Sequence, residues 1–323
     1  MTGQGPILAL GPVDALVADR LRAFGEIVEA GPDGRRLAEI LPDAIGLIAR
    51  GTSVVDRLLI AAAPRLRVIG RSGIGVELVD LRAASARRIP VVVTPGAGTN
   101  AVAEGALALI LHLVKRLGVL TELVRAGRWA ERESVEIGDL DGATIGIVGF
   151  GRIGRRLAEL CAVLDMRILA FDPYADRATA AAMGVELTDL ARLAETAEVI
   201  SLHAPLTPET VSLVNADLLA RLRAGTILVN CSRGGLLDLD AVHAALLDGR
   251  LSGVGLDVYE PEPPPPEGHP IFRHPGIVLT PHVLGLSRRG RRRTFEEMAD
   301  GMAAVLAGGR APNIANPEIY RDA

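Results

Sequence analysis

Thr144-Ile145-Gly146-Ile147-Val148 runs directly into Gly149-Phe150-Gly151-Arg152-Ile153-Gly154, and a helical pattern follows. A short apolar strand, a G-x-G-x-x-G turn and a helix in that order make the phosphate-binding start of a Rossmann unit. Gly149 suits the tight turn, Gly151 lets a pyrophosphate approach the backbone, and Gly154 lets helix and strand pack closely. The N–H groups of Arg152 and Ile153 then face a phosphate at the positive end of the helix. The next apolar run, Ile168-Leu169-Ala170-Phe171, ends in Asp172. A carboxylate there accepts from an adenosine ribose and repels a 2′-phosphate, so the cofactor expected is NAD, with NADP disfavoured. Arg177 lies near enough in sequence to complicate that choice.

Outward from this turn, short apolar runs alternate with helical patterns along the whole chain, as in a parallel α/β architecture. Ahead of it the strand candidates are 7–10, 45–49, 67–69 and 91–93, with amphipathic stretches at 12–24, 54–63 and 76–88. Thr94-Pro95-Gly96-Ala97-Gly98-Thr99-Asn100 closes this first series, and one long apolar helix is expected over 101–125. Its apolar surface suggests that it crosses between domains or packs on a second subunit. Behind the turn the candidates are 144–149, 167–171, 198–202, 226–230, 253–257 and 277–280, and an Arg-rich helix follows over 287–307. The fold class expected is α/β, with two Rossmann/flavodoxin-like parallel-sheet domains and a cleft between them. The domains are a discontinuous substrate-binding domain over 1–98 and 288–323 and an NAD-binding domain over 99–287.

Composition narrows the function classes. The aromatic share of 3% requires cores of Ala, Val, Leu and Ile, which suits buried parallel strands. A net charge of −4 argues against a nucleic-acid binder. A single lysine, Lys115, leaves Schiff-base and P-loop chemistry almost no residue to use. Cys161 and Cys231 stand far apart, so reduced thiols and no metal site are expected. Met1–Pro6 lacks the basic-then-apolar pattern of a secretion signal, and 101–114 is too short to span a bilayer. The expectation is a cytoplasmic protein with no membrane partner.

Three later segments stand at strand ends, where open α/β sheets bind ligands. They are Leu228-Val229-Asn230-Cys231-Ser232-Arg233-Gly234-Gly235, Gly255-Leu256-Asp257-Val258-Tyr259-Glu260-Pro261-Glu262-Pro263 and Thr280-Pro281-His282. An Arg, carboxylates and a His are what the reduction of a 2-oxo acid needs. The cation holds the carboxylate and polarises the carbonyl, and an acid protonates the new alkoxide. Taken singly, each residue reads as a surface Arg, a loop His or a Glu in a proline-rich stretch; their order behind a Rossmann turn is what points to catalysis.

In these motifs the chain resembles the D-isomer-specific 2-hydroxyacid dehydrogenase family over nearly its full length. The resemblance implies a catalytic set of Arg233, Glu262 and His282, with Glu262 chosen because it lies five residues after Asp257. Arg233 would bind the substrate carboxylate and carbonyl; His282 would give or take the proton, its imidazolium stabilised by the carboxylate. The cofactor set implied is Gly149, Gly151, Arg152, Ile153, Gly154, Asp172, His203, Pro205, Thr210, Cys231, Ser232, Asp257 and Gly285. Asp257 would face the nicotinamide carboxamide and His203 the adenine side. The other histidines, His112, His243, His269 and His274, read as structural or surface residues.

On the substrate side, Ser72, Gly73, Ile74 and Gly75 are expected to offer backbone N–H groups at a helix start, with Arg50 and Arg71 beside them. Both arginines resemble those that serve the phosphate in the 3-phosphoglycerate branch, so the expected substrate leans to 3-phosphoglycerate. A glyoxylate or hydroxypyruvate reductase is the alternative within the family, and a non-catalytic NAD-sensing, corepressor-like protein the alternative outside it. The family also implies a homodimer. Because the chain ends at Ala323, the regulatory domain of longer phosphoglycerate dehydrogenases is not expected. Three features depart from the family pattern. Gly105 stands where a larger residue is common, Leu284 where a small one is usual, and Arg288, Arg289, Arg291, Arg292 and Arg293 form an unusual basic cluster.

Overall fold

Every pairing between the named strands is parallel, in two separate sheets. The computed structural model describes residues 4–30 and 35–321, so the signal-peptide reading of Met1–Pro6 rests partly on residues outside that range. The chain divides into Met1–Gly98 with Arg288–Ala323, and Thr99–Ser287.

The first unit holds β1 (Ile7–Ala9), β2 (Ile27–Glu29), β3 (Gly46–Ala49), β4 (Val68–Arg71) and β5 (Val91–Val92) in the order β2-β1-β3-β4-β5. This is the flavodoxin-like order. Successive strand residues point to opposite faces and fill two cores. Ile7, Ala9 and Ile48 pack with Phe295, Met298 and Met302 of the Arg288–Leu306 helix, whereas Leu8, Leu47 and Ile69 pack with Ile60 and Ala84 on the other side.

The second unit holds β6 (Thr144–Val148), β7 (Arg167–Phe171), β8 (Glu186–Leu187), β9 (Val199–Leu202), β10 (Thr226–Asn230), β11 (Leu251–Leu256) and β12 (Ile277–Leu279). Their order, β12-β11-β10-β9-β6-β7-β8, reverses at β6, which pairs with both β7 and β9. Such a reversal opens a crevice at the carboxyl ends of the central strands. The Gly-rich turn leaves β6 at that point.

Three expectations need correction. The strands β2 and β8 carry no continuous apolar run; both are edge strands with partly exposed faces, so the hydrophobic pattern does not announce them. The long helix is two, Thr99–Val114 and Leu117–Arg125, broken where Arg116 takes a left-handed φ of 50°. No proline marks the break, and the apolar pattern runs across it. The apolar surface of the first helix also has its partner within its own unit: Ala103, Ala106, Leu109, Ile110 and Leu113 join the core under β6, β7 and β10.

Candidate active site

Each glycine of the turn meets a different physical demand. Gly149 has φ +94°, and a Cβ there would lie 2.5 Å from the Ala204 nitrogen. A Cβ on Gly154 would lie 2.1 Å from the Gly149 carbonyl oxygen. At Gly151, by contrast, a Cβ would meet no atom within 4 Å. Gly151 precedes the first turn of the Arg152–Ala162 helix, so the space left open lies where an anion meets the helix dipole.

Asp172 braces this turn. Its carboxylate accepts from the Phe150 N–H at 2.8 Å and from the Tyr174 N–H at 2.8 Å, and it retains lone pairs for a further donor. At the end of β9, the Nε2 of His203 pairs with the Ser201 hydroxyl at 2.9 Å, and its Nδ1 is buried with no partner among the described residues. Burial holds this imidazole neutral, pulling its pKa from 6.5 down to about 4. An open glycine cradle at a helix start, a braced carboxylate and an orphaned ring nitrogen together suit a dinucleotide. The remaining implied contacts are more structural. Thr210 Oγ donates to the Pro205 carbonyl at 2.7 Å, and Ser232 Oγ donates to the Ala204 carbonyl. Cys231 is buried, its thiol pushed up by burial and by Asp257.

The catalytic candidates come from the ends of adjacent strands. At the end of β10, the buried Asn230 amide donates to the Arg233 carbonyl at 2.8 Å, and its oxygen accepts from the Ser232 N–H at 3.0 Å. This clip shapes the loop that carries Arg233, whose Nη1 donates to the Ser232 carbonyl at 2.7 Å. The next residue, Gly234, packs so tightly that a Cβ would lie 2.1 Å from the Tyr259 carbonyl carbon. The Arg233 loop is thereby pressed against the segment leading to Glu262.

Glu262 pairs with His282, Oε2 to Nδ1 at 2.7 Å, while its Oε1 accepts from the Tyr259 N–H at 2.9 Å. The Nε2 of His282 makes no hydrogen bond among the described residues, and the side chain is 52% exposed. His282 sits at φ +51°, a left-handed conformation uncommon outside glycine and enriched at functional sites. Asp257 over-determines it: its buried carboxylate accepts from Thr280 Oγ at 2.6 Å and from the N–H groups of Val283 at 3.0 Å and Leu284 at 3.2 Å. Burial raises the Asp257 pKa against these bonds, which lower it. Tyr259 completes the frame, donating from its hydroxyl to the Thr280 carbonyl at 2.8 Å. Burial, with Asp257 and Glu262 nearby, lifts that phenol to about 12 and keeps it a donor.

Motif reading passed over Asn230, Tyr259 and Thr280. Their signal, a polar residue at or just past the carboxyl end of an apolar strand run, is common to most parallel sheets. Gly285 lies against the Thr99–Val114 helix, where a Cβ would come 3.3 Å from Val102.

In the first unit the loop after β4 differs from expectation. The following helix begins only at Leu81, capped by Asp80, so Ser72–Gly75 do not stand at a helix start. The N–H groups of Ser72 and Gly73 are already bonded to the carbonyls of Ala49 and Arg71. Arg71 ties the loop down, donating to the Gly75 carbonyl at 2.9 Å and the Gly51 carbonyl at 2.7 Å. Arg50 lies 4.8 Å from the Phe295 ring centre, and Arg291 lies 5.6 Å from the same ring. Burial and then the charge of Arg291 lower the Arg50 pKa, while Glu29 and Asp14 partly offset this.

The profile of the family described as D-isomer specific 2-hydroxyacid dehydrogenase, NAD binding domain, matches residues 107–283. The chain belongs to that family. Its relatives include D-3-phosphoglycerate dehydrogenase of Mycobacterium tuberculosis, 36% identical over 94% of this chain and 58% of that protein. The chain thus spans little more than half the length of that relative. Glyoxylate reductase of Korarchaeum cryptofilum is 36% identical over 91% of this chain and 89% of that protein. Among solved structures, the TT0316 protein of Thermus thermophilus superposes with a TM-score of 0.88 at 36% identity, covering 96% of this chain and 99% of its own. The D-lactate dehydrogenase of Aquifex aeolicus, solved with NAD and lactic acid, gives 0.86 at 25% identity, covering 97% and 99%.

Proposed function

We propose that this chain is an NAD-dependent oxidoreductase that interconverts a D-2-hydroxy acid and its 2-oxo acid, with 3-phosphoglycerate as the favoured substrate. The observation that carries the reading is the Glu262–His282 pair, held at the strand ends of a Rossmann sheet. With Nδ1 donating to Glu262, the free Nε2 of His282 takes the hydroxyl proton during oxidation and returns it during reduction. Glu262 stabilises the imidazolium formed in between. Arg233 offers a planar fork for the substrate carboxylate. Bound NAD supplies the hydride acceptor, and NAD rather than NADP is favoured by the carboxylate of Asp172.

The first unit carries a candidate anion site of its own. Two guanidinium groups over one Phe295 ring favour an anion between or beside them, which fits a phosphate. A relative matched over 89% of its own length is a glyoxylate reductase, which supports a second reading with a smaller substrate. The same reading includes a homodimer, supported by exposed Val124 and Trp129, 62% and 64% accessible. It also includes a cytoplasmic setting with no membrane partner; among the described residues no helix is long and apolar enough to cross a membrane.

The test is nicotinamide absorbance with NAD and NADP against 3-phospho-D-glycerate, D-glycerate, D-lactate, glyoxylate and hydroxypyruvate. An Arg50→Gln/Arg291→Gln variant should lower the preference for phosphoglycerate over glycerate by about tenfold or more. An unchanged preference discards the phosphate assignment, and glyoxylate or hydroxypyruvate outperforming the rest installs the second reading. No turnover with any acid discards the dehydrogenase.

A further inference from the structure

Gly105 stands inside the Thr99–Val114 helix and is buried, a position where glycine is the poorest choice after proline. The structure supplies a reason. A Cβ at Gly105 would lie 2.7, 2.9 and 3.0 Å from three side-chain carbons of Leu284, the first two closer than real Cβ contacts allow. Leu284 opens the one-turn helix Leu284–Leu286 that follows His282, and its side chain packs on the core beneath. Val102 lies on the same face of the Thr99–Val114 helix as Gly105, and a Cβ at Gly285, next to Leu284, would come 3.3 Å from it. The notch at Gly105 and the side chain of Leu284 therefore fit as socket and peg.

The peg is joined to the proton-carrying histidine by the backbone. The Leu284 N–H donates to Asp257 Oδ2, the Val283 N–H to Asp257 Oδ1, and His282 precedes them in its left-handed conformation. Asp257 anchors this turn at one end through Thr280 and the neighbouring N–H groups.

We infer that Leu284 and Gly105 are a matched positioning pair: the depth to which Leu284 seats on Gly105 sets the placement of His282 relative to Glu262 and the substrate. Neither residue touches the reacting atoms. The inference rests on the dehydrogenase reading above, in which His282 moves the proton.

The test is a size-exchange cycle. Gly105→Ala should unseat Leu284 and lower kcat by about tenfold, since a misplacement on the order of 1 Å costs that much or more. The KM for NAD should change less than kcat, because the Gly149–Gly154 turn is untouched. Leu284→Ala, which removes the peg without a clash and so folds, should lower kcat about fivefold. The double variant should recover to within about threefold of wild type, the new methyl at 105 filling the space vacated at 284. In parallel, the imidazole resonances of His282, assigned by their loss in His282→Gln, should shift in each single variant and return in the double. Single variants with wild-type kcat and unshifted His282 resonances, or losses that multiply in the double, overturn the inference. A drop in Tm with kcat per folded enzyme unchanged also overturns it, leaving a structural contact only. A wild-type protein with no turnover on any 2-hydroxy acid sinks the dehydrogenase reading instead, so the two failures are separable.

Discussion

His282 is held from two directions. Its Nδ1 is committed to Glu262, and its backbone is kept left-handed by a turn whose next two N–H groups converge on Asp257. Replacing the ring removes the proton-carrying group and leaves that scaffold in place. His282→Ala is expected to lower kcat by at least about a hundredfold while the Kd for NAD holds, as read by single-turnover absorbance and fluorescence titration. Near-normal turnover would remove His282 from the mechanism. At this scale the sequence reading reached the residues with strong chemistry, Arg233, Glu262 and His282, because side-chain type and order suffice to suggest their roles. It did not reach Asn230, Tyr259 and Thr280, which act by holding backbone in place. Such work depends on where a carbonyl or N–H ends up, and no residue type announces that.

Among the elements, the Gly149–Gly154 turn shows that one motif can contain glycines of opposite kinds. Gly154 is empty because the helix must touch the strand turn, whereas Gly151 is empty although nothing in the protein needs its space. Two alanine substitutions separate these roles. Gly154→Ala forces a methyl against the Gly149 carbonyl and should cost roughly 1–3 kcal/mol of stability, read by urea unfolding. Gly151→Ala should leave the unfolding midpoint unchanged and weaken NAD binding at least about tenfold, because its methyl enters the approach to the helix start. A Gly151→Ala protein that binds NAD normally would show that the cradle is used differently. The pattern of elements was largely legible, since apolar runs and turn residues are local signals. The break at Arg116 and the edge strands β2 and β8 were not, because each depends on neighbours that the local pattern does not name.

For the whole molecule, two groups buried with the second sheet respond to acid in opposite senses. His203 ionises at about 4 in the folded protein against 6.5 ordinarily, so its contribution is complete above pH 6.5. As pH falls from 6.5 toward 4 the unfolded chain gains a proton that the folded one refuses, and stability is lost. Asp257 works in the opposite sense: its raised pKa lets the folded state accept a proton first, so acid favours the fold at that group. A His203→Gln variant isolates the first effect. Its unfolding free energy should fall less steeply than that of wild type between pH 6.5 and 4, and parallel curves would mean that His203 is solvated.

The Rossmann turn, the alternation of strand and helix, and the linear order of Arg, Glu and His were determined by the sequence alone. Each is written in short-range periodicity, in turn chemistry or in residue type. Only the tertiary structure decided that Leu284 seats on Gly105, that Asp257 directs its lone pairs to the His282 turn, and that Gly151 faces open space while Gly154 does not. Those outcomes depend on which strands lie side by side after the order reverses at β6. Packing of that kind is settled by contacts between residues far apart in the chain, where no local pattern reaches.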